Sequence, residues 1–356
     1  MPQKKQTVYV GMSGGVDSSV TAALLKDRGY HVVGVYMKNW SKDLPGMPCP
    51  WKEDYQDAKR VAVQLGIDFK MYDFQTEYQQ KVVDYMVAEY QAGRTPNPDI
   101  MCNQEVKFRL FLDTALEDGA DLIATGHYAR IKDGQLLVAD NVEKDQTYFL
   151  YRVTEGALKK TLMPIGDFKT KDEVRALAKK LGLATAEKKD SQGICFVGKV
   201  GIRDFLSQYV TTSLGAIKNE HGMVIGQHDG AIFYTIGQRH GLDVGGGLPY
   251  YVVGKDMAKN EVYVTTNLDD ENLWKHEIKL CDVHWINGQP DLTKKYQVRT
   301  RYRAPLIQGK LAKTSPVKGP TLYGVELDDQ VRAITPGQSA VIYDGDCVVG
   351  GGIVTA

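Results

Sequence analysis

The chain has 356 residues, 43% apolar and 25% charged, with 44 basic residues against 44 acidic ones. Those figures suit two or three globular domains and exclude a disordered, collagenous or coiled-coil chain. A net charge of zero removes any global field toward nucleic acid or membrane but leaves room for local basic patches. Every apolar run stops far short of the ~20 residues needed to cross a bilayer. The opening MPQKKQTVYVGMSGG lacks the h-region and cleavage site of a signal peptide. The expectation is a soluble cytoplasmic protein with no membrane partner. Five cysteines (Cys49, Cys102, Cys195, Cys281, Cys347), with no CxxC among them, argue against a secreted disulfide framework and against a zinc ribbon.

In chain order, TVYVGM at 7–12 reads as a buried strand and DSSVTAALLKDRGY at 17–30 as a helix. HVVGVYM at 31–37 is the next strand and YQDAKRVAVQLGI at 55–67 the next helix; VKFRLFLDTALEDG at 106–119 and DLIATG at 121–126 add one of each. Strands separated by helices of this length predict an α/β fold with a doubly wound parallel sheet, whose ligands sit beyond the carboxyl ends of the strands. Past Gly198 the pattern changes. IRDFLSQYV at 202–210 reads as a short helix, and glycine-rich turns with short strands follow to about Leu273. From His276 the segments EIKLCDVHWI, YQVRTRYRAP, GKLAKTS, TLYGVELD and SAVIYDGDCVVGG predict a small all-β barrel. The expected domains are 1–200, 201–274 and 275–356.

The sharpest local signal is strand–SGGVDSS–helix at 13–19. Gly14 and Gly15 lack Cβ atoms, so the backbone can turn tightly and bring its N–H groups against an anion. The helix that starts near Asp17 and Ser18 aims its positive end at the same place, and Ser13 and Ser18 add hydroxyl donors. This suits pyrophosphate, yet it is neither GxxxxGK[ST] nor GxGxxG. The ordinary alternative is a Gly-Gly turn with Asp17 or Ser18 as N-cap.

Cys102 follows a loop containing Pro96 and Pro98 and precedes a helical pattern starting near Gln104. A thiol at a helix N-terminus is stabilised as thiolate, and an unperturbed cysteine of pKa ~8.5 is only about 3% ionised at pH 7. Cys195 comes shortly after Gly193 in a loop-to-strand context. Burial as a small hydrophobe is the ordinary alternative for both, and an Asx turn is the alternative for Asp99. VRTRYRAP puts Arg299, Arg301 and Arg303 at period two, on one strand face with Tyr302 on the other. Such a face is either a phosphate-binding stripe or a solvated barrel surface.

GMSGGVDSS at 11–19 resembles the pyrophosphate loop of the PP-loop ATP pyrophosphatases, whose fold is adenine nucleotide alpha-hydrolase-like. Within that group the chain resembles the tRNA-specific 2-thiouridylases over essentially its whole length. The resemblance is carried also by TPNPDIMCN at 95–103, ATGHYAR at 124–130, KDQTYFL at 144–150, DSQGICFV at 190–197 and YTIGQRHGL at 234–242. It implies ATP contacts at Gly11, Met12, Ser13, Gly14, Gly15, Val16, Asp17 and Ser18, with adenosine at Met37 and Gly126. Magnesium would accompany the phosphates, with Asp17 as a ligand or outer group and no metal site otherwise.

The resemblance also implies AMP transfer to the C2 oxygen of a wobble uridine, followed by attack of sulfur. Cys195 would carry that sulfur as a persulfide, Cys102 would help release it, and the two would end as a disulfide. Asn97, Pro98 and Asp99 would contact the target base, with Asp99 as general acid/base. His127, Lys144, Asp145, Gln146, Arg301, Tyr302 and Gln338 would contact tRNA. The implied partners are the tRNAs for Lys, Glu and Gln and a sulfur-donor protein such as a cysteine desulfurase or relay protein. Cys49, Cys281 and Cys347 match no such motif and are read as structural. The rival readings are a PP-loop synthetase using ammonia or an amine, and a tRNA-binding protein with a vestigial ATP site.

Overall fold

The structure is a computed structural model that describes residues 5–43, 49–189, 201–245, 247, 249–314 and 322–355. Its first sheet is built around β1 (Thr7–Gly11), flanked by β2 (His31–Lys38) and β3 (Asp68–Asp73) on one side. On the other side lie β4 (Leu122–Ala124) and β7 (Thr161–Leu162). The order is β3-β2-β1-β4-β7, with all pairs parallel. The chain winds outward from β1 to β3 and then returns to lay β4 on the opposite flank. Strand order therefore reverses at β1, and a crevice opens at its carboxyl end.

Side-chain alternation along β1 divides the core. Val8 and Val10 pack with Val20 and Leu25 of α1 (Val16–Asp27), Val61 of α2 (Trp51–Leu65) and Val174 of the helix Lys171–Lys180. Tyr9 faces the other way, into a cluster with Met86, Val106 and Phe111 from two long helices spanning 75–91 and 98–117. Each of those helices contains a stretch of wider i→i+5 turns, Gln79–Val83 and Cys102–Leu110. The second long helix starts earlier than the apolar period at 106–119 predicts. Asn97 caps it by accepting from Asp99 N at 3.2 Å, and Pro98 takes the first helical position. These polar turns carry no apolar period, so pattern alone misses them.

A hairpin, β5 (Arg130–Lys132) and β6 (Gln135–Leu137), leaves this first region to join the third. The middle sheet contains β8 (Gly215–Lys218), β9 (Val224–His228), β10 (Tyr251–Asp256) and β11 (Glu261–Thr265) in the order β10-β11-β8-β9. The helix ahead of it is shorter than 202–210, ending as Ile202–Leu206.

The last sheet comprises β12 (Trp274–Trp285), β13 (Lys295–Arg299), β14 (Ile307–Thr314), β15 (Leu322–Arg332), β16 (Ser339–Asp344) and β17 (Cys347–Val354). They follow the order β12-β15-β14-β13-β16-β17, and β17 pairs back with β12, which closes the barrel. β6 adds to β17 at Val348 and Cys347. A sequence pattern cannot foresee this exchange, because three-residue strands carry almost no period.

β13 ends at Arg299, which corrects the expected stripe of three arginines on one strand face. Residues 300–303 form a bend and turn in which Arg303 has φ +63. Arg299 faces Asp145 at 3.5 Å, Arg301 folds inward, and only Arg303 is exposed.

Candidate active site

The SGGVDSS segment leaves β1 at the crevice. Gly14 has φ +75, and a β-carbon there would collide with Asp54 O at the start of α2, so glycine is required. Ser18 Oγ accepts from Ser13 N at 3.2 Å and donates to Gly15 O at 3.1 Å, with the Ser13 hydroxyl 3.3 Å away. Ser18 thus closes the loop over the first turn of α1, while Val16 and Met12 are buried beneath it. Gly126, just past β4, abuts the same turn: a β-carbon there would stand 2.7 Å from Ser18 N. Met37, near the end of β2, lies over Gly11. All the nucleotide contacts expected from the sequence therefore gather at the carboxyl edge of three neighbouring strands.

Asp17 is held by residues the sequence reading missed. Lys171 Nζ donates to both carboxylate oxygens at 2.7 Å, and the Tyr128 hydroxyl donates to Oδ1 at 2.9 Å. Lys171 opens a helix capped by a Thr170–Glu173 capping box, so two helix N-termini converge on this point. The T-x-x-E signature was legible in the sequence, but the partner of the lysine was not. With three donors already on its oxygens, Asp17 suits an outer group beside magnesium better than a direct ligand. Among the described residues no group of three or more His, Cys, Asp or Glu side chains could hold an ion.

His127 follows Gly126 and is buried, its Nδ1 2.8 Å from Thr125 Oγ1 and its ring 5.6 Å from that of Phe108. Burial, with Lys107 nearby, holds its pKa well below the usual histidine value, so the ring is neutral at neutral pH. Phe108 belongs to the wide turns that begin at Cys102. The contacts therefore run unbroken from phosphate loop to Gly126, His127 and the Cys102 helix.

Cys102 itself is buried. It lies in the second turn of a helix that begins at Pro98, which corrects its expected position at a helix N-terminus. Asp99 is half-buried in the first turn, beside the Asn97 cap. Cys195, with the whole of 190–200, lies outside the described residues. The chain leading up to that segment is tied to the phosphate-loop side. Thr185 Oγ1 donates to Ser19 Oγ at 2.9 Å, and Lys188 pairs with Asp54 and Asp57 at 2.7 Å. Beyond it, Phe205 packs on Trp40 past the end of β2. Burial raises the thiol pKa of Cys49, Cys281 and Cys347, which makes them poor nucleophiles.

The loop entering the Cys102 helix is gripped from two sides. Thr95 N donates to Pro336 O at 2.8 Å, Gln338 Nε2 donates to Thr95 O at 2.8 Å, and the Thr95 and Thr235 hydroxyls are 3.2 Å apart. Arg301 Nη2 donates to Ile236 O, Ala333 O and Thr335 Oγ1 at 3.0, 2.8 and 2.6 Å, joining the barrel to the YTIGQRHGL segment. Tyr302 sits against Phe149 at 4.5 Å between ring centroids.

Asp145 is buried, accepting from Ala139 N at 3.1 Å and Thr147 Oγ1 at 2.7 Å, and burial raises its pKa. Gln146 Oε1 accepts from Tyr128 N at 2.9 Å, and Lys144 N donates to Asn141 O at 3.1 Å. The side chains of Asp145, Gln146 and Gln338 thus have internal partners, while Arg301 and Tyr302 remain half-buried at a junction.

Residues 6–199 match the family described as tRNA methyl transferase HUP domain. Residues 203–266 match its PRC-barrel domain, and residues 275–354 match an aminomethyltransferase beta-barrel domain. A tRNA-specific 2-thiouridylase MnmA from Geobacillus thermodenitrificans is 46% identical over 98% of this chain and 94% of its own length. One from Methylobacillus flagellatus is 45% identical over 99% of each chain, and one from Streptococcus sanguinis is 47% identical over 98% and 95%. Among solved structures, a 4-thiouridine synthetase–RNA complex with bound ATP aligns at 20% identity over 58% of this chain and 50% of that one, with a TM-score of 0.39. Identity of this order along nearly the full length places the chain in a family: it belongs to the tRNA-specific 2-thiouridylases.

Proposed function

We propose that this protein uses ATP to replace the C2 oxygen of a wobble uridine in tRNA by sulfur, giving 2-thiouridine, AMP and pyrophosphate. The observation that carries the reading is the line of contacts from the phosphate loop through Gly126 and His127 to the helix bearing Asp99 and Cys102. A nucleotide seated on the loop and a base delivered to the 97–99 turn would meet along that line.

The carbonyl oxygen of uracil is a poor leaving group. Its attack on the α-phosphate of ATP transfers AMP to O2 and releases pyrophosphate. The N–H groups of the loop and two converging helix N-termini are suited to the charge that builds on the departing phosphates. The terminal sulfur of a Cys195 persulfide then attacks C2. Cys102 thiolate attacks Cys195 Sγ, the S–S bond breaks, and AMP departs with the former O2. The residual Cys102–Cys195 disulfide needs a thiol reductant before the next turnover. Asp99, partly exposed in the first helical turn, is the proposed proton carrier at the base. A flipped-out anticodon nucleotide reaches such an edge at low cost because its loop is single-stranded. The proposed partners are tRNA for Lys, Glu and Gln and a persulfide-donating protein, and the proposed location is the cytoplasm.

The test is mass spectrometry of nucleosides from unmodified tRNA incubated with enzyme, Mg-ATP and sulfide or a persulfide donor. 2-Thiouridine formed only with ATP, together with AMP, is the expected result. AMP formed with ammonia and no thiouridine would move the chain to an amine-using synthetase. Undiminished thiouridine from Cys195→Ser or Cys102→Ser would remove that cysteine from the mechanism.

A further inference from the structure

Arg152 lies outside every motif described above, yet it is 8% exposed, unusually buried for an arginine. Its guanidinium joins two regions. Nε donates to Gln104 Oε1 within the wide turns of the Cys102 helix. Nη1 donates to Asp282 O at 2.8 Å and Nη2 pairs with Asp282 Oδ2 at 2.9 Å, both on barrel strand β12.

Asp282 has the geometry of a presented residue. The β12–β17 register slips between Cys281 and His284, and Asp282 sits there at φ +46, in the left-handed region that a non-glycine residue rarely adopts. Such a bulge turns backbone and side chain of one residue toward the same target, and here the target is Arg152. Lysine could not replace this fork, because it has one nitrogen where arginine has three.

The neighbouring residues repeat the connection. Asn103 Nδ2 donates to Phe149 O at 3.0 Å, so two successive residues after Cys102 are tied to the 149–152 segment. That segment is fastened to the barrel, with the Tyr148 hydroxyl donating to Ser339 O at 2.9 Å and the Tyr151 hydroxyl 3.1 Å from Ser339 Oγ. Wide i→i+5 turns are rare overall and are frequent at functional sites.

We infer that Arg152 is a positioning residue that anchors the wide turn beginning at Cys102 to the C-terminal barrel, so that the placement of the thiol depends on the barrel that carries the expected tRNA contacts Arg301, Tyr302 and Gln338. This rests on the role proposed for Cys102. It assigns the barrel a second task besides contacting RNA: holding a reacting group on another domain.

The experiment uses the full chain carrying Arg152→Gln, with Arg152→Lys and Asp282→Asn as graded companions. Two quantities are read: the alkylation rate of the Cys102 peptide by iodoacetamide, and single-turnover chemistry on bound tRNA. Arg152→Gln should raise alkylation of Cys102 about tenfold, because loosening the turn exposes a buried thiol. It should lower thiolation about tenfold while leaving pyrophosphate release without a sulfur donor within about twofold. Arg152→Lys should fall between Arg152→Gln and the unsubstituted protein. Unchanged alkylation and thiolation would overturn the inference, as would a parallel loss of both chemical steps that tracks unfolding. Full thiolation by Cys102→Ser would instead overturn the role of Cys102 itself, so the two failures are distinguishable.

Discussion

Replacing Lys171 by methionine removes the cation that holds Asp17 at the start of α1. Breaking a fully buried ion pair from one side costs about 3–5 kcal/mol, whereas an exposed pair contributes no more than about 1 kcal/mol. The Lys171 and Asp17 side chains are 12% and 30% exposed, between those limits. The Tyr128 hydroxyl would stay on Asp17 after the substitution. The expected loss is therefore about 2 kcal/mol. Asp17→Asn should lose a similar amount, since it leaves an ammonium at a helix N-terminus where the backbone already repels it. If the two groups chiefly serve each other, the double variant should lose about 2 kcal/mol rather than 4, a coupling of about 2 kcal/mol. Native-state hydrogen exchange of α1 amides is the suitable assay, because it reports opening of this region apart from the other domains. Additive losses within about 0.5 kcal/mol would refute the pairing.

Arg301, at the domain junction, and Lys255, within the middle domain, give the remaining predictions. Arg301→Ala removes three hydrogen bonds of a charged donor and should lower the urea midpoint by the equivalent of about 2 kcal/mol. If the same guanidinium also meets a tRNA phosphate, the slope of log K against log salt should shrink by about one unit, and an unchanged slope would restrict Arg301 to the protein junction. Burial lowers the Lys255 ammonium to about 8, with Nζ donating to Tyr234 O at 2.8 Å. The unfolded chain keeps that proton up to about pH 10.4, so between the two values it binds more protons and stability rises with pH. Lys255→Met should erase about 1–3 kcal/mol of that rise in urea titrations between about pH 7.5 and 10, and identical pH profiles would refute it.

The local chemistry of the phosphate loop was legible in the sequence because its causes are local. Gly14 is needed where the backbone turns through positive φ, and β1 and α1 follow directly from their own apolar residues. The same holds for the barrel strands, whose short alternating runs announce themselves between turn residues. Asn97 and Pro98 also mark a helix start, but in a polar stretch without period. Pattern alone therefore starts the helix near Gln104 and puts Cys102 at its N-terminus instead of in its second turn. Pairings between residues far apart in the chain arise only once it folds. Lys171 lies 154 residues from Asp17, Arg152 130 residues from Asp282, and Gln338 243 residues from Thr95. Arginine spacing in VRTRYRAP suggested one strand face, but Arg301 finds three acceptors from two other segments and the strand ends before it. A sequence fixes which groups are available and which local turns they favour. Which distant groups meet depends on how the sheets and barrel pack, since a charged side chain loses its water only where a partner has been folded into place.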